Sequence, residues 1–293
     1  MQPTFWKAAA VSVVITPSEP MWLAGWAARR EPASGKAGEL FCKALALEDP
    51  DGSRVVAVTM DLIAIPRDFA QSVAVEIKKK WNLSRERLFF NSSHTHNGPE
   101  IRPDKVPFFE IPAEFAAKIG SYRSQLQENV LSAINIALTN LKPATLNVVQ
   151  AKADFAQNRR VTGGLSDCDV PILEITGADG KSLAILFGYA CHNLTLPFSF
   201  CQYHGDYAGV AQQELETHFP GVIAMFFAGA GADQEPAPRG TLELAVQHGR
   251  TLADNVKRAL QGPKCRVSGN LRIAFEETPL RFVPLPSPEI LAA

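Results

Sequence analysis

A predicted strand runs out into a polar loop at Leu88-Phe89-Phe90-Asn91-Ser92-Ser93-His94-Thr95-His96-Asn97-Gly98-Pro99-Glu100. Its first three residues are apolar, whereas Asn97-Gly98-Pro99 is typical of a turn. Two histidines therefore lie just beyond a strand, at the end where α/β folds commonly bind ligands. Because residues i and i+2 of an extended chain face the same side, we expect His94 and His96 to project together. A functional site and a pair of ordinary loop histidines both fit this spacing.

Apolar periodicity predicts that strands and helices alternate along the rest of the chain. The predicted strands are 8–15, 43–48, 54–60, 87–92, 145–153, 170–176, 182–190, 222–228 and 269–276, and the predicted helices are 67–81, 113–141, 207–218 and 241–261. The turns Asp49-Pro50-Asp51-Gly52 and Gly177-Ala178-Asp179-Gly180 predict hairpins. We therefore expect an α/β fold with a mixed, mostly parallel sheet sandwiched between helices, an α/β/α arrangement.

Composition excludes several classes of protein. The 293 residues are 46% hydrophobic and carry a net charge of −1, which gives no indication of a nucleic-acid partner. No apolar run approaches the roughly 20 residues that cross a bilayer. The first residues lack the charged start and apolar core of a signal peptide, so either the protein is cytosolic or a leader has been removed.

The five cysteines form no metal-type cluster, and their odd number argues against a complete disulfide framework. Cys191 and Cys201 flank a loop, so a bridge in an oxidising compartment and two half-buried thiols both remain open. The other three are Cys42, Cys168 and Cys265.

Polar groups follow several of the predicted strands. His94 and His96 follow one, His192 follows another, and Asp233-Gln234-Glu235 follows a third, with His204 and Asp206 nearby. Imidazole suits zinc, and catalytic zinc usually takes three protein ligands and a water. The sequence lacks the His-Glu-x-x-His, Cys-x-x-Cys, Gly-x-Ser-x-Gly and Walker patterns, which disfavours the common zincin, α/β-hydrolase and P-loop classes.

The order of these motifs resembles that of the neutral/alkaline (non-lysosomal) ceramidases. His94-Thr95-His96-Asn97-Gly98-Pro99 is similar to the His-Thr-His-Ser-Gly-Pro stretch of that family. Further resemblances occur in order along the chain, at Val13–Pro17, Leu23-Ala24-Gly25, Asn158-Arg159, Tyr189-Ala190-Cys191-His192, Gly205-Asp206-Tyr207-Ala208-Gly209 and Ala232-Asp233-Gln234-Glu235-Pro236. The resemblance covers nearly all of residues 5–261.

The resemblance implies a zinc-dependent amide hydrolase. His94 and His192 would be zinc ligands, and His96 would stand beside the metal as a hydrogen-bonding or proton-transfer group. Arg159 would hold the amide oxygen or a tetrahedral oxyanion, and Asp206 would fix an imidazole tautomer. Asp233 and Glu235 are further loop candidates. We expect no chemical role for His204, His218 or His248.

Two departures from the family pattern qualify this expectation. Glu235 stands where the ceramide-cleaving members have serine, which argues against ceramide itself; Glu235 could serve as a base or orient its loop. The family's other zinc ligands, a Glu and a Tyr, lie much further along, and nothing after Glu276 resembles that region. We therefore expect residues 1–276 to form the family's N-terminal α/β domain, and residues 277–293 to be an irregular, Pro-rich tail that begins a missing region.

Three hypotheses of function remain open. The first is a zinc hydrolase acting on a small-molecule or lipid amide, the second a catalytically impaired relative or fragment that binds a ligand or partner without turnover, and the third another metallohydrolase such as a peptidase. The aromatic residues Trp22, Trp26, Phe108, Phe109, Phe198 and Phe200 could line an apolar cleft, contact a membrane surface as a peripheral protein would, or be covered in the core. The resemblance suggests a secreted or periplasmic protein, and the sequence indicates no oligomeric state.

Overall fold

A nine-stranded mixed sheet frames the structure, a computed structural model that describes residues 6–286 and Ile290. Its strands are β1 (Trp6–Val14), β2 (Phe41–Glu48), β3 (Arg54–Met60), β4 (Leu88–Ser92), β5 (Lys142–Lys152), β7 (Asp169–Gly177), β8 (Ser182–Tyr189), β9 (Ile223–Ala228) and β11 (Cys265–Arg266), while β6 (Ala156–Asn158) and β10 (Gln234–Pro236) form a separate ribbon. The helices are α1 (Arg67–Trp81), α2 (Ala113–Thr139), α3 (Asp206–His218) and α4 (Leu242–Leu260). The predicted helices and the first eight predicted strands are confirmed, with small shifts at their ends.

The sheet is mixed, as predicted, and its order is β4-β3-β2-β1-β5-β7-β8-β9, with β11 on β5. The expectation that parallel pairs dominate needs correction. Of the pairings in this sheet only β3–β4 and β8–β9 are parallel within the described residues. In each of these two pairs the chain crosses from one strand to the next through a helix, α1 or α3, which is the kind of connection that parallel neighbours need.

The sheet folds back on itself, so its two halves face each other between the helices. One apolar cluster joins β1–β4 to α1 and α2, a second joins β5 and β7–β9 to α3 and α4, and a third, from both halves, lies between them. The helices thus lie on both sides of the sheet, as expected, but the sheet supplies two layers. The Asn91 side chain joins the open edges β4 and β9, accepting from Ala228 N at 2.9 Å and donating to Ala228 O at 3.2 Å.

The residues of β2 show why the halves stay together. Cys42, Ala44 and Ala46 face the helices, whereas Leu45 and Leu47 enter the cluster between the halves. Lys43 points the same way and is almost fully buried; its ammonium donates to Ala224 O on β9 at 2.8 Å and to Glu216 at 2.7 Å. A buried lysine is tolerated here because it is paired and hydrogen-bonded.

The predicted strand over residues 269–276 is wrong. β11 covers only Cys265–Arg266, which pair with Val148 and Asn147 of β5. β1 pairs with β5 only at residues 142–144, so the edge of β5 beyond them is free for β11. The chain then leaves the sheet: Leu271 N donates to Asp49 Oδ2 at 2.7 Å, and Glu277 pairs with Arg67 on α1. The tail predicted at 277–293 lies partly outside the described residues, and its described part up to residue 286 is irregular. None of the helices in the described residues is long and apolar enough to cross a membrane.

Candidate metal centre

The candidate site lies at the carboxyl ends of the two parallel strand pairs. Residues 61–63 follow β3 and His94 follows β4, while His192 follows β8 and Gly231 follows β9. Since β4 and β9 meet at the Asn91 bridge, the ends of both pairs converge on one place. His94 and His192 contact each other there, although 98 positions separate them in the chain.

The imidazoles of His94 and His192 are held so that two nitrogen lone pairs face each other. His94 Nδ1 lies 2.6 Å from Ile63 O, and His192 Nδ1 lies 3.3 Å from Gly231 O. A carbonyl only accepts, so each Nδ1 carries the hydrogen and each Nε2 presents a lone pair. The two Nε2 atoms are 2.9 Å apart. Bare lone pairs at this distance repel, and a bound cation would turn both into ligands.

His96 completes a group of three histidines whose ligand atoms all lie within 4.8 Å of one another. Its ring is buried, and within the described part of the chain neither nitrogen has a hydrogen-bond partner. Burial, aided by the nearby His94, His192 and Arg29, lowers the pKa of His96 to about 2. Burial also lowers the pKa of His192, to about 4, and that of His94. All three rings are therefore neutral at pH 7, the form that binds metal.

The side chains of His94 and His96 come together through a backbone conformation that the sequence did not predict. His94 has φ +62°, so the chain turns there instead of continuing the extended conformation of β4. The rings of His94 and His96 still come to 5.2 Å between centroids. Their common direction is confirmed, but the cause is a left-handed residue rather than strand alternation.

Gly25 shapes the space beside His96. A Cβ at this position would lie 2.5 Å from His96 Nδ1, and φ is +92°. Gly25→Ala should therefore destabilise the fold by about 3 kcal/mol, from left-handed strain and overpacking together, and displace the His96 ring. Chemical denaturation gives the stability, and zinc titration of the variant reports on the ring.

Gly52→Ala is the matched control, because Gly52 has φ +84° but open space around its Cβ position. It should cost only about 1 kcal/mol and leave zinc binding unchanged. Equal losses in the two variants would show that the close approach of Gly25 to His96 has no consequence.

Arg159 lies near the histidines, at the end of the β6–β10 ribbon. Its guanidinium donates to Ala232 O at 2.7 and 3.0 Å, and its charge contributes to the lowered pKa values of His94 and His192. Asp233 Oδ2 accepts from Asn158 at 3.2 Å, and Glu235 pairs with Arg239 at 3.3 Å. These contacts hold the loops around Arg159, and they place neither carboxylate on an imidazole of the three-histidine group.

Asp206 has partners other than the expected imidazole. Its carboxylate accepts from the backbone N–H groups of Thr195, Leu196 and Tyr207, at 2.8, 2.9 and 2.6 Å. It is fully buried and fixes the loop after His192, so any effect on that histidine is indirect. His204 accepts from Asp206 N through Nδ1 at 2.9 Å, a structural contact.

The other two histidines lie on helices away from the group. His218 is exposed at the end of α3. His248 on α4 is buried, stacks on Phe155 and bonds to Pro238 O at 2.7 Å.

Arg29 is a site residue that the sequence did not single out. It is buried, and its guanidinium donates to His96 O at 2.9 Å and Ala24 O at 3.1 Å, with longer bonds to Phe198 O and Phe200 O. It thus joins the chain segment carrying His96 to two neighbouring loops. An arginine in a charged loop normally indicates solvent exposure, so no sequence signal distinguished it; its place next to Leu23-Ala24-Gly25 was the nearest hint.

Some of the aromatic residues considered for a cleft, a membrane contact or the core are buried, and others are exposed. Trp22 is in the core against Phe115, whereas Phe108 and Phe198 are exposed. Trp26 contacts both His96 and Phe198, with ring centroids at 5.5 and 6.3 Å. Cys191 and Cys201 are free thiols, so the structure has no bridge between them.

Fold and site together define an α/β protein with two sheet layers and three imidazoles able to hold a metal ion. No family model matches the sequence. Two similar solved structures are a ceramidase complexed with C2 and the neutral ceramidase from Pseudomonas aeruginosa, each 16% identical to this chain, with TM-scores of 0.79 and 0.80. They match 91% and 92% of this chain, which spans 45% and 47% of theirs.

Both structural neighbours are ceramidases, and the fold expected from the motif order is confirmed. The chain spans about half the length of the neighbours.

Proposed function

We propose that this chain is a zinc-dependent hydrolase of N-acyl amides. The observation that carries the proposal is the 2.9 Å distance between Nε2 of His94 and Nε2 of His192. Each Nε2 has a free lone pair, because Nδ1 of the same ring carries the hydrogen and donates it to a backbone carbonyl. Two neutral imidazoles anchored through Nδ1 are the usual protein ligands of zinc. The ceramidase neighbours support hydrolysis of an amide as the reaction.

Each residue of the site would have its own role in the reaction. His94 and His192 would hold the ion, and His96 would face the same space as a third neutral imidazole, able to bind the ion or to donate a hydrogen bond to the substrate. When bound, zinc would supply a water acidic enough to react near pH 7 and would polarise the amide carbonyl. Arg159 would stabilise the negative charge that develops on the amide oxygen, using guanidinium hydrogens that Ala232 O does not take.

The surroundings of His96 favour a neutral role over proton transfer. Its ring is buried, and within the described residues neither ring nitrogen has a hydrogen-bond partner that would pass a proton on. The expected proton-transfer function of His96 is therefore the weaker alternative, and we propose hydrogen bonding or ligation instead.

Ligand binding without turnover is the second candidate function. Within the described residues the metal-binding group consists of histidines alone and includes no carboxylate. Zinc content and hydrolysis, measured on the same sample, separate the two candidates.

Metal removal tests the proposal. Protein stripped with a chelator and reloaded with zinc should bind about one ion and release amine from at least one class among N-acyl sphingosines, N-acyl amino acids and peptides. The stripped protein should be about 100-fold or more slower, because the metal supplies several kcal/mol of stabilisation. Stoichiometric zinc without hydrolysis would favour the binding function, and failure to bind zinc would overturn the proposed hydrolase.

A further inference from the structure

The open edges β4 and β9 are held together by side chains instead of a strand pairing. In the described residues the two strands share no backbone hydrogen bond, since the sheet order ends at β4 on one side and at β9 on the other. Two side chains hold β9 from across the gap: Lys43 of β2 donates to Ala224 O at 2.8 Å, and Asn91 of β4 bonds to both backbone groups of Ala228. The distance between the two edges therefore depends on these side chains.

Asn91 is the one of these two side chains that stands at the candidate metal centre. It lines the pocket over the histidines together with His94 and His192. Lys43 bonds four residues earlier on β9, which places its contact about 13 Å further down the strand. Only the Asn91 bridge is therefore close enough to fix the positions of the two imidazoles.

Both polar groups of the Asn91 amide are engaged by one residue. Oδ1 accepts from Ala228 N at 2.9 Å, and Nδ2 donates to Ala228 O at 3.2 Å. An amide held through both its oxygen and its nitrogen cannot turn toward a substrate without losing a bond. This geometry fits a residue that positions other groups and does not itself react.

A short segment connects the bridge to the first imidazole. His94 follows Asn91 by three residues, and between them Ser93 N donates to Met60 O at 2.9 Å. The ring of His94 is then held through Nδ1 by Ile63 O at 2.6 Å. The position of His94 is thus tied to the ends of β3 and β4.

An equally short segment connects the bridge to the second imidazole. Gly231 follows Ala228 by three residues, and its carbonyl oxygen lies 3.3 Å from His192 Nδ1. A Cβ on Gly231 would lie 2.5 Å from Cys191 N, so this segment is packed directly against the end of β8. The position of His192 is thus tied to the ends of β8 and β9.

We propose that Asn91 is a positioning residue that sets the distance between Nε2 of His94 and Nε2 of His192, which is 2.9 Å. The inference rests on the proposed zinc-dependent function and adds to it a residue that acts through the two imidazoles. Two imidazoles hold one ion best when both lone pairs point to the same place, and groups that orient metal ligands contribute to affinity for that reason. A change in the Asn91 bridge should therefore alter the metal centre and not only the stability of the fold.

Two substitutions of Asn91 test the inference. Asn91→Leu has nearly the same size and removes both bonds to Ala228, whereas Asn91→Gln keeps an amide but places it one methylene further from the backbone. Both should lower the zinc affinity about 10-fold or more, as substitutions of residues that orient metal ligands do. Both should also change the visible absorption spectrum of the cobalt(II)-loaded protein, which reports on the arrangement of ligands around the ion.

Lys43→Met is the matched control, because it removes a side-chain bond to β9 away from the pocket. It should lower the stability of the metal-free protein, measured by urea denaturation, and leave the zinc affinity and the cobalt spectrum unchanged. Asn91→Gln should be more stable than Asn91→Leu, because it keeps a polar partner near Ala228. If Asn91→Leu fails to fold, Asn91→Gln decides the question.

The outcomes separate this inference from the proposed reaction. An unchanged zinc affinity and cobalt spectrum in Asn91→Gln would overturn the inference and leave the hydrolase proposal standing. An equal change in Lys43→Met would also overturn it, because closure of the sheet in general would then set the distance. Zinc binding that depends on Asn91 in a protein without hydrolysis would support the inference and overturn the hydrolase proposal. If the unsubstituted protein bound neither ion, the proposed function would be wrong, and the inference with it.

Discussion

Replacing His192 with alanine is expected to reduce zinc affinity by about 100-fold or more, since even residues that only orient a ligand contribute 10- to 100-fold. His192 provides one of the two facing Nε2 atoms, and its loss leaves His94 with only His96 as a neighbouring imidazole. Competition with a chromogenic chelator measures the affinity, and hydrolysis of the preferred amide should fall with it.

The stability of the metal-free variant distinguishes a ligand from a structural histidine. In the metal-free protein the His192 ring forms one long bond, to Gly231 O, and faces the lone pair of His94. Removing the ring also removes this repulsion, so the metal-free variant should stay within about 1 kcal/mol of the unsubstituted protein.

His218→Ala is the matched control, because His218 is exposed at the end of α3. It should change neither zinc affinity nor stability. Unchanged zinc affinity in His192→Ala would remove His192 from the proposed ligand set.

The sequence was most informative about where strands end. Val56, Val58 and Leu88 are buried apolar residues that define the parallel pair β3–β4, and the polar residues after such strands are recognisable as loops. Parallel strands bring their carboxyl ends to the same edge, so each pair gathers the residues that follow it, His94 with residues 61–63 and His192 with Gly231. The meeting of His94 with His192 depends in addition on the closure of the sheet.

The closure of the sheet could not be predicted from the sequence. It depends on Asn91, whose side chain joins β4 to β9 through Ala228, and on Lys43, which crosses between the two halves. Both residues are polar, and polarity in a strand normally indicates a solvent-facing position. Only the tertiary structure shows that their partners are backbone groups on a strand more than 130 residues away.

The wrong strand at 269–276 has a related cause. β-propensity describes how well a segment fits a pleated surface, not whether a strand edge is available. Beyond Val267, whose N–H still donates to Leu146 O of β5 at 2.9 Å, the chain bonds instead to the hairpin turn, where Asp49 Oδ2 accepts from Leu271 N. The Asp49 carboxylate takes the place of a partner strand.

Arg29→Met is expected to destabilise the protein by about 3–4 kcal/mol, because four carbonyl oxygens, two of them in buried and two in partly buried bonds, each lose a donor at about 1 kcal/mol. The four acceptors are Ala24 O, His96 O, Phe198 O and Phe200 O. Methionine nearly fills the volume of the arginine stem, so lost hydrogen bonds rather than a cavity account for the loss. Urea denaturation of the metal-free protein gives the value.

Arg30, the exposed residue next to Arg29, provides the control for this prediction. Arg30 donates to Ala27 O and to Arg29 O from the surface, so Arg30→Met should cost less than about 0.5 kcal/mol. Arg29→Lys should recover little, because a single ammonium cannot reach four carbonyls arranged around a planar guanidinium. A loss below about 1 kcal/mol in Arg29→Met would show that the four bonds contribute nothing net.

Arg29→Met should also affect the metal centre. His96 O is the acceptor of one of the two shorter bonds, at 2.9 Å, and Trp26, in the same loop as Arg29, lies against the His96 ring. Without the guanidinium, the segment from His94 to His96 loses one of its attachments to the neighbouring loops, while Thr95 Oγ1 still donates to His204 O at 2.7 Å. Arg29→Met should therefore lower zinc affinity as well as stability, whereas Arg30→Met should change neither. If zinc affinity stayed unchanged while stability fell, Arg29 would hold the loops together without fixing the histidines.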